Sequence, residues 1–204
     1  FIRHLLAVQD TSKAGQVYHA YLGILGGERS FQALADDVSL SRERIRRIIE
    51  RIDREYPQRL AFLHDLPGVR ERYPMLVTQG TLLVVSQVIR DELNEREGTD
   101  CSCLFIAMMA QVFSGLEYEL GNWRWFDLSV SRVKELQHQF PFVVRSSQVS
   151  ELEVIMKDLI DRATQPRTTT LTLDAYSLIP NKSSLNRDEL VHATIDLAQC
   201  LFPD

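Results

Sequence analysis

The sequence predicts a mainly α protein, an N-terminal helix-turn-helix bundle followed by a winged-helix-like α+β part. Three observations predict it. Two apolar faces at helical spacing stand side by side within residues 30–54. Residues 81–126 read as helix, helix, hairpin, the winged-helix order. Apolar residues make up 45% and charged residues 25% of the 204, a balance that permits a sizeable core in one large domain or two small ones.

Residues 1–25 read as helical, with Ile2, Leu5, Leu6, Tyr18, Tyr21, Leu22 and Leu25 as the apolar set and a break near Lys13-Ala-Gly. Phe31, Leu34, Ala35 and Val38 then fall at i, i+3, i+4 and i+7, one face of a short helix that Ser30 can cap. Ser41 caps a second helix, on which Ile45, Ile48, Ile49 and Ile52 repeat the same spacing. Ala35 is small enough to let the two helices cross closely. Pro57 disfavours helix in the residue before it, so the second helix is expected to end at Glu55-Tyr56-Pro57.

At about 100° per residue, Glu43, Arg47, Glu50 and Arg54 point away from the isoleucines, with Arg46 on one flank and Arg44 and Arg51 on the other. Ser41–Arg54 holds six arginines against three acids, a net +3, while the whole chain is −5, leaving −8 for the rest. A helix studded with cations in an acidic protein suits phosphate neutralisation. Arginine's planar fork also binds phosphate or guanine O6/N7 bidentately. The chain uses 19 arginines and 4 lysines throughout, so arginine is its default cation and a solvated basic surface helix is the competing reading.

Phe31-Gln-Ala-Leu-Ala-Asp-Asp-Val-Ser-Leu-Ser-Arg-Glu-Arg-Ile-Arg-Arg-Ile resembles the promoter-reading helix-turn-helix of primary bacterial sigma factors, with Ser41-Arg42-Glu43-Arg44-Ile45-Arg46 as its most specific part. Tyr18–Leu25 and Gly26-Gly27-Glu28-Arg29 are similar to the helix and turn preceding that motif. The resemblance spans residues 18–56. It implies docking of the second helix in a major groove, N-terminal end first, with Glu43 accepting from a cytosine amino group and the arginines taking phosphate or guanine. Ser41, Arg42, Glu43, Arg44, Arg46, Arg47 and Arg51 are therefore the expected DNA-binding residues. Arg47 stands where the family has glutamine, and Ile49 where it has glutamate, so base preference does not carry over. Nothing resembles the segments that grip polymerase core or melt a promoter.

Residues 57–80 hold three prolines and two glycines. They read as a linker over 58–80 with a short helix near Arg59–His64, separating a DNA-binding domain at 1–57 from an interaction domain at 81–204. Residues 81–97 read as helix, with Leu82, Val85, Val88, Ile89 and Leu93 on one face and Gly98 ending it. A second apolar helix covers 102–115. Gly121-Asn122 between alternating apolar runs signals a hairpin. As a wing, its Trp123, Trp125 and Phe126 would lay Arg124 on a DNA backbone; otherwise these aromatics cover a helical core. Residues 81–126 carry seven acids against Arg90, Arg96 and Arg124, a net −4 that suits a protein partner better than phosphate. Helices are expected over 129–140, 149–163 and 188–201, a short strand at Phe142–Arg145, and a strand or arm at Thr168–Leu173.

No catalytic constellation is visible. The five histidines are scattered, and P-loop, GxGxxG, HExxH and GxSxG patterns are absent. Cys101, Cys103 and Cys200 are too few and too irregularly spaced for zinc or a disulfide scaffold and point to a reducing cytoplasm, with the nucleoid as the expected location. No apolar run reaches the roughly 18 residues of a membrane span. The start at Phe1, with no initiator Met and no signal-peptide pattern, suggests a fragment of a longer protein. The expectation is thus a non-enzymatic, cofactor-free transcription regulator that binds double-stranded DNA, with a homodimer or a protein partner on the acidic C-terminal part. The alternative is a protein-interaction module that uses the helix-turn-helix as a scaffold.

Overall fold

The computed structural model describes residues 12–23, 29–164 and 187–202. Its elements are α1 (Lys13–Tyr21), α2 (Phe31–Val38), α3 (Arg42–Leu60), α4 (Val69–Arg72), β1 (Leu82–Val84), α5 (Gln87–Glu97), α6 (Cys103–Ser114), β2 (Tyr118–Leu120), α7 (Val130–Gln139), β3 (Phe142–Arg145), α8 (Val149–Thr164) and α9 (Arg187–Leu201). The chain is mostly helical. Serine opens six of these helices: the side chains of Ser12, Ser30, Ser41, Ser86, Ser102 and Ser129 each accept a hydrogen bond from a backbone amide of the first turn. Each cap satisfies a donor that has no intrahelical partner.

Helices α1, α2 and α3 pack on one another and α3 also meets α6. Ile45, Ile49 and Ile52 are buried, and Ile48 is half-buried at the edge. On α2, Leu34 and Ala35 are buried and Phe31 and Val38 half-buried. Each fully buried isoleucine is worth about 1.5–3 kcal/mol of transfer free energy, so the isoleucine face seats α3 firmly. The turn between α2 and α3 is Ser39-Leu40-Ser41. Ser39 adopts a left-handed conformation (φ 54°, ψ 45°), and the Leu40 amide bonds the Ala35 carbonyl at 3.0 Å.

Helix α3 runs beyond Pro57, where the sequence suggested its end, because Leu60 buries its side chain at the far end. Proline in a closing turn removes one backbone hydrogen bond without blocking the turn's own burial. The stretch 58–80, expected to be a linker, contributes Leu60, Leu63, Val69, Tyr73 and Leu76 to the interior. These side chains join α1, α2, α3 and α6 in one continuous apolar cluster.

A three-stranded antiparallel sheet has the order β1-β3-β2, with Leu83 opposite Val143 and Leu120 also opposite Val143. Strand residues alternate faces, and here the two faces belong to two cores. Val143, Leu83 and Leu120 face the cluster built on α3 and α6. Phe142, Val144, Leu82 and Val84 face a second cluster formed with Trp123, Phe126, α7, α8 and α9. At the centre of the first cluster lies α6, apolar all round and buried at every position except Gln111, as such a helix must be.

Two expectations for this half are corrected. Residues 82–84 form a strand, and the helix begins only after the Ser86 cap; Val88, placed on the apolar face by the sequence, is 74% exposed. The Gly121-Asn122 hairpin does not form. Trp123–Phe126 coil into a 3₁₀ turn, and β2 pairs instead with β3, beyond residues 121–141. Trp123 and Phe126 are buried, with the Trp123 ring edge-on to Phe142 at 5.2 Å and its indole N–H on the Phe140 carbonyl at 2.9 Å. The aromatics cover the second core. The expected Thr168–Leu173 strand or arm lies outside the described residues, as does the segment holding Ile2, Leu5 and Leu6.

Candidate nucleic-acid interface

Burial of the isoleucine face decides what α3 presents. Arg42, Glu43, Arg44, Arg46, Arg47, Glu50, Arg51 and Arg54 are all exposed. All seven residues singled out in the sequence therefore lie on the outer surface, on α3 and at its start. None is covered by the rest of the described chain.

The seven differ in what they already touch. Ser41 Oγ accepts from the Arg44 amide at 3.2 Å, so its hydroxyl serves as the helix cap. Glu43 lies in the first turn, where a carboxylate also favours the helix dipole. Its two oxygens take a bidentate pair of bonds from Arg46, Nε at 2.9 Å and Nη2 at 2.8 Å, and a third from Arg47 Nε at 3.0 Å. These bonds hold the Glu43 carboxyl down to about 2, and the same contact raises Arg46 above its ordinary value. Arg46 Nη1 also reaches Glu50 at 3.1 Å. Arg42, Arg44 and Arg51 make no ion pair among the described residues, and Arg47 is held through Nε alone.

Sequence reasoning brought the arginines to one surface but passed over Glu50 as a partner of Arg46 and did not foresee that Glu43 would be occupied. The spacing carried the signal: 43, 46, 47 and 50 stand three and four residues apart, where opposite charges on a helix meet. Helix α2 adds ion-pair support through Arg29–Asp37.

Among the described residues, the opposite half presents no comparable exposed arginine face. Helix α6, second in the α5–α6 pair, is interior. Near the second core, cations are paired with acids: Arg132 with Glu135, Lys157 with Asp127 and Glu153, Arg162 with Asp158. Among the described residues no three His, Cys, Asp or Glu side chains gather as metal ligands would, and no helix is long and apolar enough to cross a membrane. Comparison with protein-family models, curated proteins and solved structures finds no match for this chain.

Proposed function

We propose that this protein binds duplex DNA sequence-specifically, as a regulator of transcription, by seating the N-terminal end of α3 in a major groove. The observation that carries this reading is the division of α3 into two faces. One is consumed by the core through Ile45, Ile49 and Ile52; the other stands in solvent with Arg42, Arg44, Arg46, Arg47 and Arg51. The short turn at Ser39-Leu40-Ser41 holds α2 against α3, as a backbone-gripping first helix requires. Arg42, Arg44 and Arg51 supply phosphate contacts, and Arg47 presents its two Nη groups to the groove.

The C-terminal part is a winged-helix-like scaffold in this reading. The β1-β3-β2 order, with α5 and α6 between β1 and β2, supports this reading, with residues 121–141 where a short wing would stand. Its apolar α6 is used for packing, and its acidic exterior suits a protein partner or a second copy.

The deciding experiment is selection of bound duplexes from a random pool, followed by titration at about 50 and about 200 mM salt. A recovered consensus and binding that weakens steeply with salt support the reading. Failure to retain any duplex at the lower salt removes it and favours the interaction-module alternative.

A further inference from the structure

The leading turns of α3 are less positive than a count of arginines implies. Glu43, Arg46, Arg47 and Glu50 form a closed set of two cations and two anions, linked by contacts of 2.8 to 3.1 Å. Arg46 commits all three of its nitrogens, two to Glu43 and one to Glu50. The charge that attracts any duplex is left to Arg42, Arg44 and Arg51, around the edge of this neutral patch.

Exposed ion pairs are individually weak and can be exchanged. A DNA phosphate offers Arg46 or Arg47 a replacement for the carboxylate. Glu43, however, would then stand uncompensated beside a polyanion. It can be stabilised there only by a hydrogen-bond donor, since an ionised carboxylate accepts and never donates. On base edges in the major groove, the donors are the amino groups of cytosine and adenine.

Resting on the DNA-binding reading above, we propose that Glu43 is a positioning residue that clasps Arg46 and Arg47. It keeps both guanidinium groups neutralised on duplexes of arbitrary sequence and releases them where a base amino group takes over its carboxylate. The clasp lowers background binding and converts one base contact into two arginine contacts. Because those arginines hold its carboxyl down to about 2, Glu43 remains ionised and the clasp stays charged throughout the neutral range.

The test uses the full chain and a mixed-sequence duplex, with fluorescence anisotropy titrated from about 50 to about 200 mM salt. Glu43→Gln is expected to tighten binding to this duplex about three- to tenfold at the lower salt and to steepen the log–log salt slope by about 1 to 2, as one or two freed arginines reach phosphates. Glu50→Gln, which releases only one contact of Arg46, is expected to do so more weakly. Glu55→Gln removes the same charge from the same helix next to Arg59, away from the leading turns, and is expected to leave the slope unchanged. A matching change in Glu55→Gln would assign the effect to bulk charge and overturn the clasp. So would an unchanged slope, or weaker binding, in a Glu43→Gln protein whose circular dichroism is native. Wild-type protein that binds no duplex at all removes the DNA reading itself, and the clasp with it.

Discussion

Tyr18 of α1 donates its hydroxyl to the sulfur of Met108 in α6 at 3.7 Å, across ninety positions of sequence, with both side chains buried. Nearby, Ser102 at the start of α6 donates to the Leu22 carbonyl at 2.5 Å. Helices α1, α2 and α3 are thereby fastened to the central helix of the chain and share its core. Met108→Ala should cost about 2–5 kcal/mol, the range for truncating a buried methionine. Circular dichroism and the fluorescence of the tyrosines around α1 should report the same unfolding midpoint. Two separated transitions, with α1–α3 melting alone, would contradict a shared core.

Gly121 approaches the Phe142 ring so closely that a Cβ placed there would lie 1.9 Å from Cε2. That ring is buried between Trp123 and Phe126, and Gly121 also donates its amide to the Phe142 carbonyl at 2.7 Å. Gly121→Ala must therefore displace the centre of the second core. The expected loss is about 1–3 kcal/mol, as for other overpacked interiors, and would be seen as a lower denaturant midpoint. Companion Phe142→Leu should relieve part of it; a Gly121→Ala protein of wild-type stability would show that the ring moves aside freely.

The same glycine shows where sequence reading stops. Gly121-Asn122 carries a turn signal, yet the glycine is needed for close approach to a ring twenty-one residues away in the chain. Leu82 and Val85 fit a helical face with Val88, Ile89 and Leu93 by local spacing, but Leu82–Val84 pairs with Phe142–Val144, and that pairing becomes visible only in three dimensions. Prolines 57, 67 and 74 punctuate a stretch that nevertheless buries Leu60, Leu63, Val69, Tyr73 and Leu76, because short turns can still fill a core. By contrast, the faces of α2 and α3 depend on neighbours one turn apart, so their periodicity exposes them. For the candidate site, position on the surface followed from the same period. The same spacing sets Arg46 and Arg47 within reach of Glu43 and Glu50, but it does not choose between an acid and solvent as their partner.

The Glu43 carboxyl has a sign that can be checked. Its folded value is lowered from 4.5 to about 2, chiefly by the hydrogen bonds from Arg46 and then Arg47. A depressed acid contributes stability above its unfolded value and loses it as pH falls through the folded one. The stability difference between wild type and Glu43→Gln should be constant above about pH 5 and shrink between about pH 4.5 and pH 2. Carboxyl chemical shifts followed by NMR would locate the titration directly. A midpoint near 4.5 would mean that the arginines do not hold the carboxylate in solution.

Cys200 lies in α9 with its thiol donating to the Asp196 carbonyl at 3.2 Å, and burial pushes its ionisation up to about 11. Since the thiolate is the reactive form, alkylation by iodoacetamide at pH 8 should be far slower than for a free thiol and should speed up on adding denaturant. Mass spectrometry of the peptide containing Cys200 would read this; rapid labelling of the native chain would place the thiol in solvent.

Substitution at Ser41 separates folding from the proposed DNA contact. Its hydroxyl caps α3, accepting from the Arg44 amide at 3.2 Å. Ser41→Ala should lose about 1 kcal/mol, a fall in melting temperature of about 2–4 °C for a chain of this size. Ser41→Asp keeps a good capping oxygen and adds a charge that the helix dipole favours, so stability should hold or rise slightly. That same charge stands at the end of α3 proposed to meet the groove, where it would repel phosphate and offset one arginine. Duplex affinity should therefore fall in Ser41→Asp while its melting temperature does not, with the salt slope shallower by about one contact. Thermal melts and anisotropy titrations on the two variants give a crossed pattern, Ala weak in folding and Asp weak in binding. If Asp binds duplex as tightly as wild type, the leading end of α3 does not approach the DNA backbone.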